Sequence, residues 1–333
     1  MRVSVIGIGA VGGAIAALLD RAGHSVHAVA RGHTLAAVRE HGLRLVGAAG
    51  EHTSRVSVGP RVDDEAEVVL LAVRTFQTER ALEEHADAIG DRPVIVTQNG
   101  VRGPERAAKA LGRDAGVFGL LTTFPASGLG PGRVRLTGLG SMTIAPVLAA
   151  DAPAATRLAH VLNAALPTRP ADNLPGLLWT KLLLNEVNPL PAITGSSVQY
   201  TATHPLLSPI LARALEETVA VIDAQRIRPA PVGRLHPAHV TAVREGRALD
   251  IVRGRLGRMF GVFPNPASTL QSIRRGEPTE IDDLSGEVVR VGHDFGIATP
   301  VNAALVSLVE HVTATRRFLP AAELARVVAS VTG

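Results

Sequence analysis

Two rhythms of apolar residues alternate along the first half of the chain. The segments at 2–7, 25–30, 67–73, 93–97 and 116–121 read as strands; 2–7 is apolar and β-branched, and 67–73 is a short continuous apolar run, as expected of a strand buried on both faces. Between them, apolar positions three and four apart predict helices over 10–21, 33–41, 77–89 and 104–112. Segments 42–47 and 53–58 read as a small hairpin, and 133–137 and 141–146 as antiparallel strands at a sheet edge. Strand and helix in alternation predict a doubly wound α/β domain, its parallel sheet covered on both sides. Beyond 151 strand signals stop, and helical spacing follows at 152–166, 174–190, 206–225, 236–246, 279–296, 300–315 and 320–331. The fold class is therefore α/β, with an all-α C-terminal domain. The boundary is expected within 165–173, giving domains 1–168 and 169–333.

Composition narrows the function. The chain has 333 residues, 46% of them hydrophobic and 3% aromatic, with a formal charge of +4. Arginines are dispersed and stacking platforms are scarce, which argues against nucleic acid. The absence of cysteine excludes thiolate nucleophiles and Cys-ligated metals, and the 12 histidines lack HxxxH or HExxH spacing, so no metal is expected. No run is long and apolar enough for a membrane span. Met1 leads directly into a strand without the pattern of a secretory signal, so a cytoplasmic protein with no membrane partner is expected.

The sharpest local signal is Gly7-Ile8-Gly9-Ala10-Val11-Gly12. It follows a strand and opens a helix, the context that makes GxGxxG a dinucleotide motif. Gly7 permits the tight turn, Gly9 lets backbone approach a pyrophosphate, and Gly12 allows close helix–strand packing. Ile8, Ala10 and Val11 complete the loop, and the helix N-terminus offers its N–H groups to phosphate. The doubly wound domain is thus of Rossmann type. After the second strand the chain reads His27-Ala28-Val29-Ala30-Arg31, with no acid for a ribose hydroxyl. Arg31 lies where a 2′-phosphate would be met, which favours NADPH/NADP+ over NAD(H).

Only two of the 34 basic residues are lysines, Lys109 and Lys181. Lys109 falls in a charged, Ala-rich helix. Lys181 falls among leucines beside the only Trp, where a titratable amine does what arginine cannot. On a helix, Asn185 and Asn188 lie at about 40° and −20° from Lys181, so the three share one face. They read either as an oxygen-binding site or as helix-capping amides beside a solvent-seeking lysine.

Five segments in order make the chain resemble the ketopantoate reductases, also called 2-dehydropantoate 2-reductases. They are Gly7 to Gly12; Val73-Arg74-Thr75-Phe76-Gln77; Gln98-Asn99-Gly100; Trp179 to Leu190; and Pro264-Asn265-Pro266-Ala267-Ser268 through Thr279-Glu280-Ile281-Asp282. The resemblance implies NADPH-dependent reduction of 2-dehydropantoate to pantoate, in a cleft between a Rossmann domain and a helical domain. Lys181 matches the catalytic lysine that protonates the keto oxygen, and Glu280 the active-site glutamate. Asn185 matches an asparagine that holds substrate hydroxyls, with Asn188 as a second substrate ligand. Ser268 matches a serine contacting the substrate carboxylate. Asn99 matches the asparagine lying between nicotinamide and substrate, and Arg74 and Gln77 fall on the cofactor side. The residue pattern alone places Glu280 in the first turn of a helix from 279, with Ile281, Leu284, Val288, Val291 and Phe295 as its buried stripe.

Two departures bear on the substrate. The family usually has lysine where Arg74 stands, and spaces its two asparagines four apart rather than three. The substrate class implied is a small-molecule 2-oxoacid, with room for a homodimer. A related oxidoreductase acting on another 2-oxoacid or an imine, and a non-catalytic NADP(H)-sensing protein, are the competing readings.

Overall fold

The computed structural model describes residues 1–256 and 264–332. The chain forms two compact units, Met1–Leu174 and Pro175–Gly333.

The first unit carries the strands β1 (Arg2–Ile6), β2 (Ser25–Val29), β3 (Leu43–Gly47), β4 (His52–Ser54), β5 (Ser57–Gly59), β6 (Val68–Leu71), β7 (Val94–Val96), β8 (Val117–Thr122), β9 (Ala126–Gly128), β10 (Arg133–Leu136), β11 (Met142–Pro146) and β12 (Thr168–Pro170). Among the described residues the main sheet has eight strands in the order β12-β11-β8-β7-β6-β1-β2-β5. From β5 to β8 every pairing is parallel; β11 runs antiparallel to β8. Alternate residues feed opposite layers, which is why β6 (Val68–Leu71) is apolar at every position. Val3, Val5, Leu70, Ile95 and Phe118 pack with Ile15, Leu18 and Leu19 of helix α1 (Ala10–Arg21). Ile6, Val69, Leu71, Val94 and Val96 pack on the other face with Leu82, Ile89 and Ala107.

Three strands behave otherwise than their sequence pattern suggests. The hairpin is real for β3 and β4, but it ends at Ser54, and β5 joins the main sheet beside β2. Strand β10 is not at the edge of the main sheet; it pairs in parallel with β3 in a second sheet of order β4-β3-β10-β9. Strand β12 extends the main sheet beyond the last strand the pattern predicts. These are short segments whose partners are set by tertiary packing.

The second unit is helical. Helix Ser208–Ala224 packs against helices Ser285–Phe295 and Pro300–Thr315, and Leu211, Leu215, Val219, Val301, Leu305 and Val309 belong to its core. Helices Val198–Thr203, Ala248–Ile251 and Ala267–Arg275 have no counterpart in the sequence prediction. The helix expected over 174–190 is two, Leu174–Asn185 and Pro189–Thr194. The helix expected from 279 begins at Ser285, after a short 3-10 turn at Ile281–Asp283. Ile281, Leu284, Val288 and Val291 are buried as expected, whereas Phe295 is exposed.

Candidate active site

In the first unit, the loops at the C-terminal ends of neighbouring parallel strands gather the motifs. The order β7-β6-β1-β2 sets Asn99, Arg74 with Gln77, the glycine loop and Arg31 side by side along one edge. The chain winds to opposite sides of β1, the switch point at which such sheets bind ligands.

The three motif glycines do different work. Gly7 has φ of 93°, and a Cβ there would lie 2.8 Å from the Ala72 carbonyl oxygen. A Cβ on Gly12 would lie 2.1 Å from the Gly7 oxygen, so this glycine closes helix α1 onto the strand. A Cβ on Gly9 would meet no protein atom within 4 Å. What Gly9 leaves clear is therefore approach from outside. No side chain caps α1 and its first turn carries no acid, so its positive end suits a phosphate. These residues fit a dinucleotide. Gly13 is a packing glycine outside the motif; a Cβ there would lie 2.9 Å from Val134.

Arg31 lies two residues past the end of β2 and forms the N-cap position of a helix over Gly32–His41. Its guanidinium pairs with Glu84, Nη1 to Oε2 at 3.1 Å. Glu84 also accepts from Arg80 Nε at 3.0 Å, and the hydrogen bond from Arg80, with the nearby Arg31 charge, holds its carboxyl below the usual range. Arg74 caps a 3-10 turn at Thr75–Gln77, where Gln77 Oε1 accepts from the Arg74 N–H at 3.2 Å. Asn99 is half-buried, and its carbonyl accepts from Thr75 Oγ1 at 3.3 Å. Gln98 ties these two loops together, donating from Nε2 to the Val73 carbonyl (3.0 Å) and to Thr78 Oγ1 (2.8 Å).

In the second unit, Lys181 and Asn185 lie one turn apart on helix Leu174–Asn185. Lys181 is half-buried, and desolvation lowers its pKa to about 8. The amide nitrogen of Asn185 is buried and has no hydrogen-bond partner in the protein, a donor placed for an acceptor outside the chain.

Asn188 is not on that helical face. Pro189 has no N–H to give to the Asn185 carbonyl four residues back, so the helix stops. Asn188 supplies the missing donors: its backbone N–H reaches the Asn185 oxygen at 2.9 Å and its Nδ2 at 2.7 Å. Its Oδ1 accepts from Ser268, from the N–H at 3.0 Å and from Oγ at 2.9 Å. The Asn188 side chain is buried, while Ser268 is exposed. Ser268 is the second residue of helix Ala267–Arg275, which starts from Ala267 at a φ of 59°. Asn265 supports this turn, accepting from the Ala267 N–H at 2.8 Å.

Glu280 is buried just before the 3-10 turn, and is not in the first turn of an α-helix. The sequence pattern also gives no hint of Glu186. Fully buried beside Asn185, it accepts from Ser285 Oγ at 3.0 Å while its Oε1 has no partner. Desolvation raises its pKa to about 8, against the pull of the Ser285 hydrogen bond and with a further push from Glu217. Among the described residues no cluster of His, Cys, Asp or Glu could hold a metal ion, and no helix is long and apolar enough to cross a membrane.

Comparison with known proteins agrees across both units. Residues 3–148 match the family model of ketopantoate reductase PanE/ApbA, and residues 173–313 match that of its C-terminal part. A 2-dehydropantoate 2-reductase of Archaeoglobus fulgidus is 29% identical over 314 residues, covering 93% of this chain and 97% of the relative. The crystal structure of a PanE/ApbA family ketopantoate reductase from Ralstonia eutropha JMP134 superposes with a TM-score of 0.80 at 28% identity, over 95% of this chain and 99% of the other. D-mandelate dehydrogenase, in a ternary structure with NADH and anilino(oxo)acetate, shares the fold at a TM-score of 0.82 and 22% identity, over 95% and 99%. The chain belongs to the ketopantoate reductase family, a family of NADP-dependent oxidoreductases.

Proposed function

We propose that this family member reduces 2-dehydropantoate to pantoate, using NADPH and Lys181 as the general acid. The observation that carries the reading is Lys181 itself. It is one of two lysines in the chain, half-buried and held near a pKa of about 8, one turn from an asparagine whose amide nitrogen has no protein partner. Such an ammonium is still mostly protonated at neutral pH yet poised to release its proton.

The glycine loop would hold the pyrophosphate, and Arg31 the 2′-phosphate. Arg74, Gln77 and Asn99 would line the nicotinamide side. NADPH, when bound, supplies the hydride to the ketone carbon. Lys181 stabilises the negative charge growing on the ketone oxygen and gives it a proton. Asn185 Nδ2 donates to a substrate oxygen, and Glu280 takes the place of the family's active-site glutamate. The substrate class is a small 2-oxoacid.

A second reading, reduction of a different 2-oxoacid, draws on Asn188. Both ends of its amide are engaged within the protein, so one polar ligand expected for 2-dehydropantoate is withdrawn. The test for both is NADPH oxidation with 2-dehydropantoate set beside a panel of 2-oxoacids and imines. Turnover of 2-dehydropantoate at the highest kcat/KM supports the first reading. Turnover of another keto acid alone replaces it with the second.

A further inference from the structure

We infer that Glu186 and Ser285 are a positioning pair for the reduction: their buried hydrogen bond holds the helix that carries Asn185 in register with the turn that carries Glu280. The inference rests on the reductase reading and adds to it two residues that are themselves sealed from substrate.

The bond joins segments 99 residues apart in the chain, and each end is tied tightly to a site residue. Glu186 follows Asn185 directly. Its N–H reaches the Leu182 oxygen at 3.1 Å, so it still belongs to the last turn of helix Leu174–Asn185. Ser285 opens the helix that follows the Glu280 turn. The chain from Glu280 to Ser285 is closed by two backbone bonds, from the Asp283 N–H to the Glu280 oxygen at 3.0 Å and from the Leu284 N–H to the Ile281 oxygen at 3.1 Å. Ile281 and Leu284 are buried, which fixes that turn against the core. Between these two stiff segments, Ser285 Oγ donates to Glu186 Oε2 at 3.0 Å, and both residues are fully buried.

For stability alone, a carboxyl is the wrong group here. Leu182, Leu183 and Val187, its neighbours in sequence, are buried and apolar, and a leucine would continue their pattern. Taking a carboxyl out of water is costly, and the nearby Glu217 adds to the cost. One hydrogen bond from a neutral hydroxyl returns only part of it, and Glu186 Oε1 has no partner among the described residues. What the pair offers over an apolar contact is direction. A hydrogen bond sets a distance and an angle, whereas two apolar side chains can slide past each other. Fixing register is the best-supported role for a buried polar contact kept at a cost in stability. The register at stake is that of the Asn185 amide nitrogen, which has no protein partner, against Glu280.

The test uses the 2-oxoacid that the wild type reduces at the highest kcat/KM. The double variant Glu186→Leu, Ser285→Ala removes both partners and strands no buried polar atom of the pair. It should melt at or above the wild-type Tm and bind NADPH within about twofold of wild type, yet lose roughly 10- to 100-fold in kcat/KM, the range of a small misplacement within a site. Ser285→Ala alone should lose nearly as much, because either change breaks the same bond. Glu186→Gln keeps an acceptor for the Ser285 hydroxyl and should stay within about threefold of wild type in kcat/KM. Stability and turnover therefore move in opposite directions in the double variant, which a merely structural pair would not produce. Wild-type kcat/KM in the double variant would make the pair ordinary core and overturn the inference. A loss shared in full by Glu186→Gln would also overturn it, by assigning the effect to the carboxyl and not to the bond. So would a parallel fall in Tm and NADPH affinity, the mark of general loosening. If the double variant does not fold, Ser285→Ala, which removes a single oxygen, decides by the same measures. A wild type that reduces no 2-oxoacid would sink the reductase reading, and this inference with it.

Discussion

The α-carbon of Gly12 stands so close to Gly7 that a methyl group on it would lie 2.1 Å from the Gly7 carbonyl oxygen and 2.6 Å from the Ala72 Cβ. Neither neighbour is the end of a flexible side chain, so the strand and helix would have to part. Gly12→Ala should cost about 1–3 kcal/mol or more, lowering Tm by several degrees. Gly9→Ala is the contrasting case, because its new methyl touches no protein atom. Stability should stay within about 1 kcal/mol of wild type, while NADPH affinity falls at least about tenfold through the lost approach of the pyrophosphate. Thermal melts and NADPH titration of the two variants separate packing from binding. Wild-type NADPH affinity in Gly9→Ala would remove the loop from the cofactor site.

Arg31 meets Glu84 at 3.1 Å, and both side chains are accessible to solvent. A cofactor phosphate must compete with that carboxylate for the guanidinium. NADPH should still bind more tightly than NADH, since a phosphate carries more charge and more acceptors than a carboxylate. Arg31→Ala should narrow the gap by about 10- to 100-fold. Glu84→Gln should widen it modestly, by about two- to fivefold, as expected of an exposed ion pair. Titration of both nucleotides against the wild type and the two variants reads this out, and equal wild-type affinities would detach Arg31 from the cofactor.

Much of the first unit is legible in the sequence because its strands are buried on both faces and its helices on one. The runs around Val3, Val69 and Ile95 announce themselves, and so does the glycine loop. Strand partners are less legible. Segment 57–59 holds three residues, and only the tertiary context sends it to β2 rather than on along the hairpin. The helix from Ala267 goes unseen because Ser268, Gln271, Arg274 and Arg275 leave little apolar stripe, and because it starts from a left-handed residue. Lys181 and Asn185 stand one helical turn apart, as their spacing predicts, but Asn188 does not continue their face. The signal for that was present in Pro189, four residues after Asn185. Glu186 has no such signal, since the groups that act on it, Ser285 and Glu217, come from distant segments.

Glu186 should make the fold less stable as pH rises. Its pKa is about 8 in the folded chain against an ordinary 4.5, so the native state holds the proton more tightly. Stability then falls as pH rises from about 4.5 to 8 and levels off above. Full burial makes the loss sizeable, on the order of 1–4 kcal/mol across that window. Glu186→Gln removes the titration and keeps an acceptor for the Ser285 hydroxyl. Its Tm should exceed that of wild type at pH 8, and the difference should shrink towards pH 5. A constant difference across this range would mean that folding leaves the Glu186 pKa at its ordinary value.

Lys181 offers the most direct test of the chemistry. As the general acid it must carry its proton when hydride arrives, and desolvation lowers its pKa to about 8. The rate of ketone reduction should therefore be flat below about pH 8 and fall tenfold per unit well above it. Lys181→Ala should lower kcat by roughly 10²–10⁴ with NADPH affinity nearly intact. Lys181→Arg separates chemistry from packing. Its guanidinium keeps the positive charge and the aliphatic stem, but it holds its proton too tightly to act as the acid at neutral pH. If Lys181 is the acid, the Arg variant should stay close to the Ala variant in kcat while melting near wild type. It should also lose the fall in rate above pH 8, because no group with that pKa remains to lose its proton. If Lys181 only covers the leucines beside it, arginine should serve as well as lysine. Near wild-type turnover in the Arg variant, with the alkaline fall unchanged, would take Lys181 out of the proton transfer.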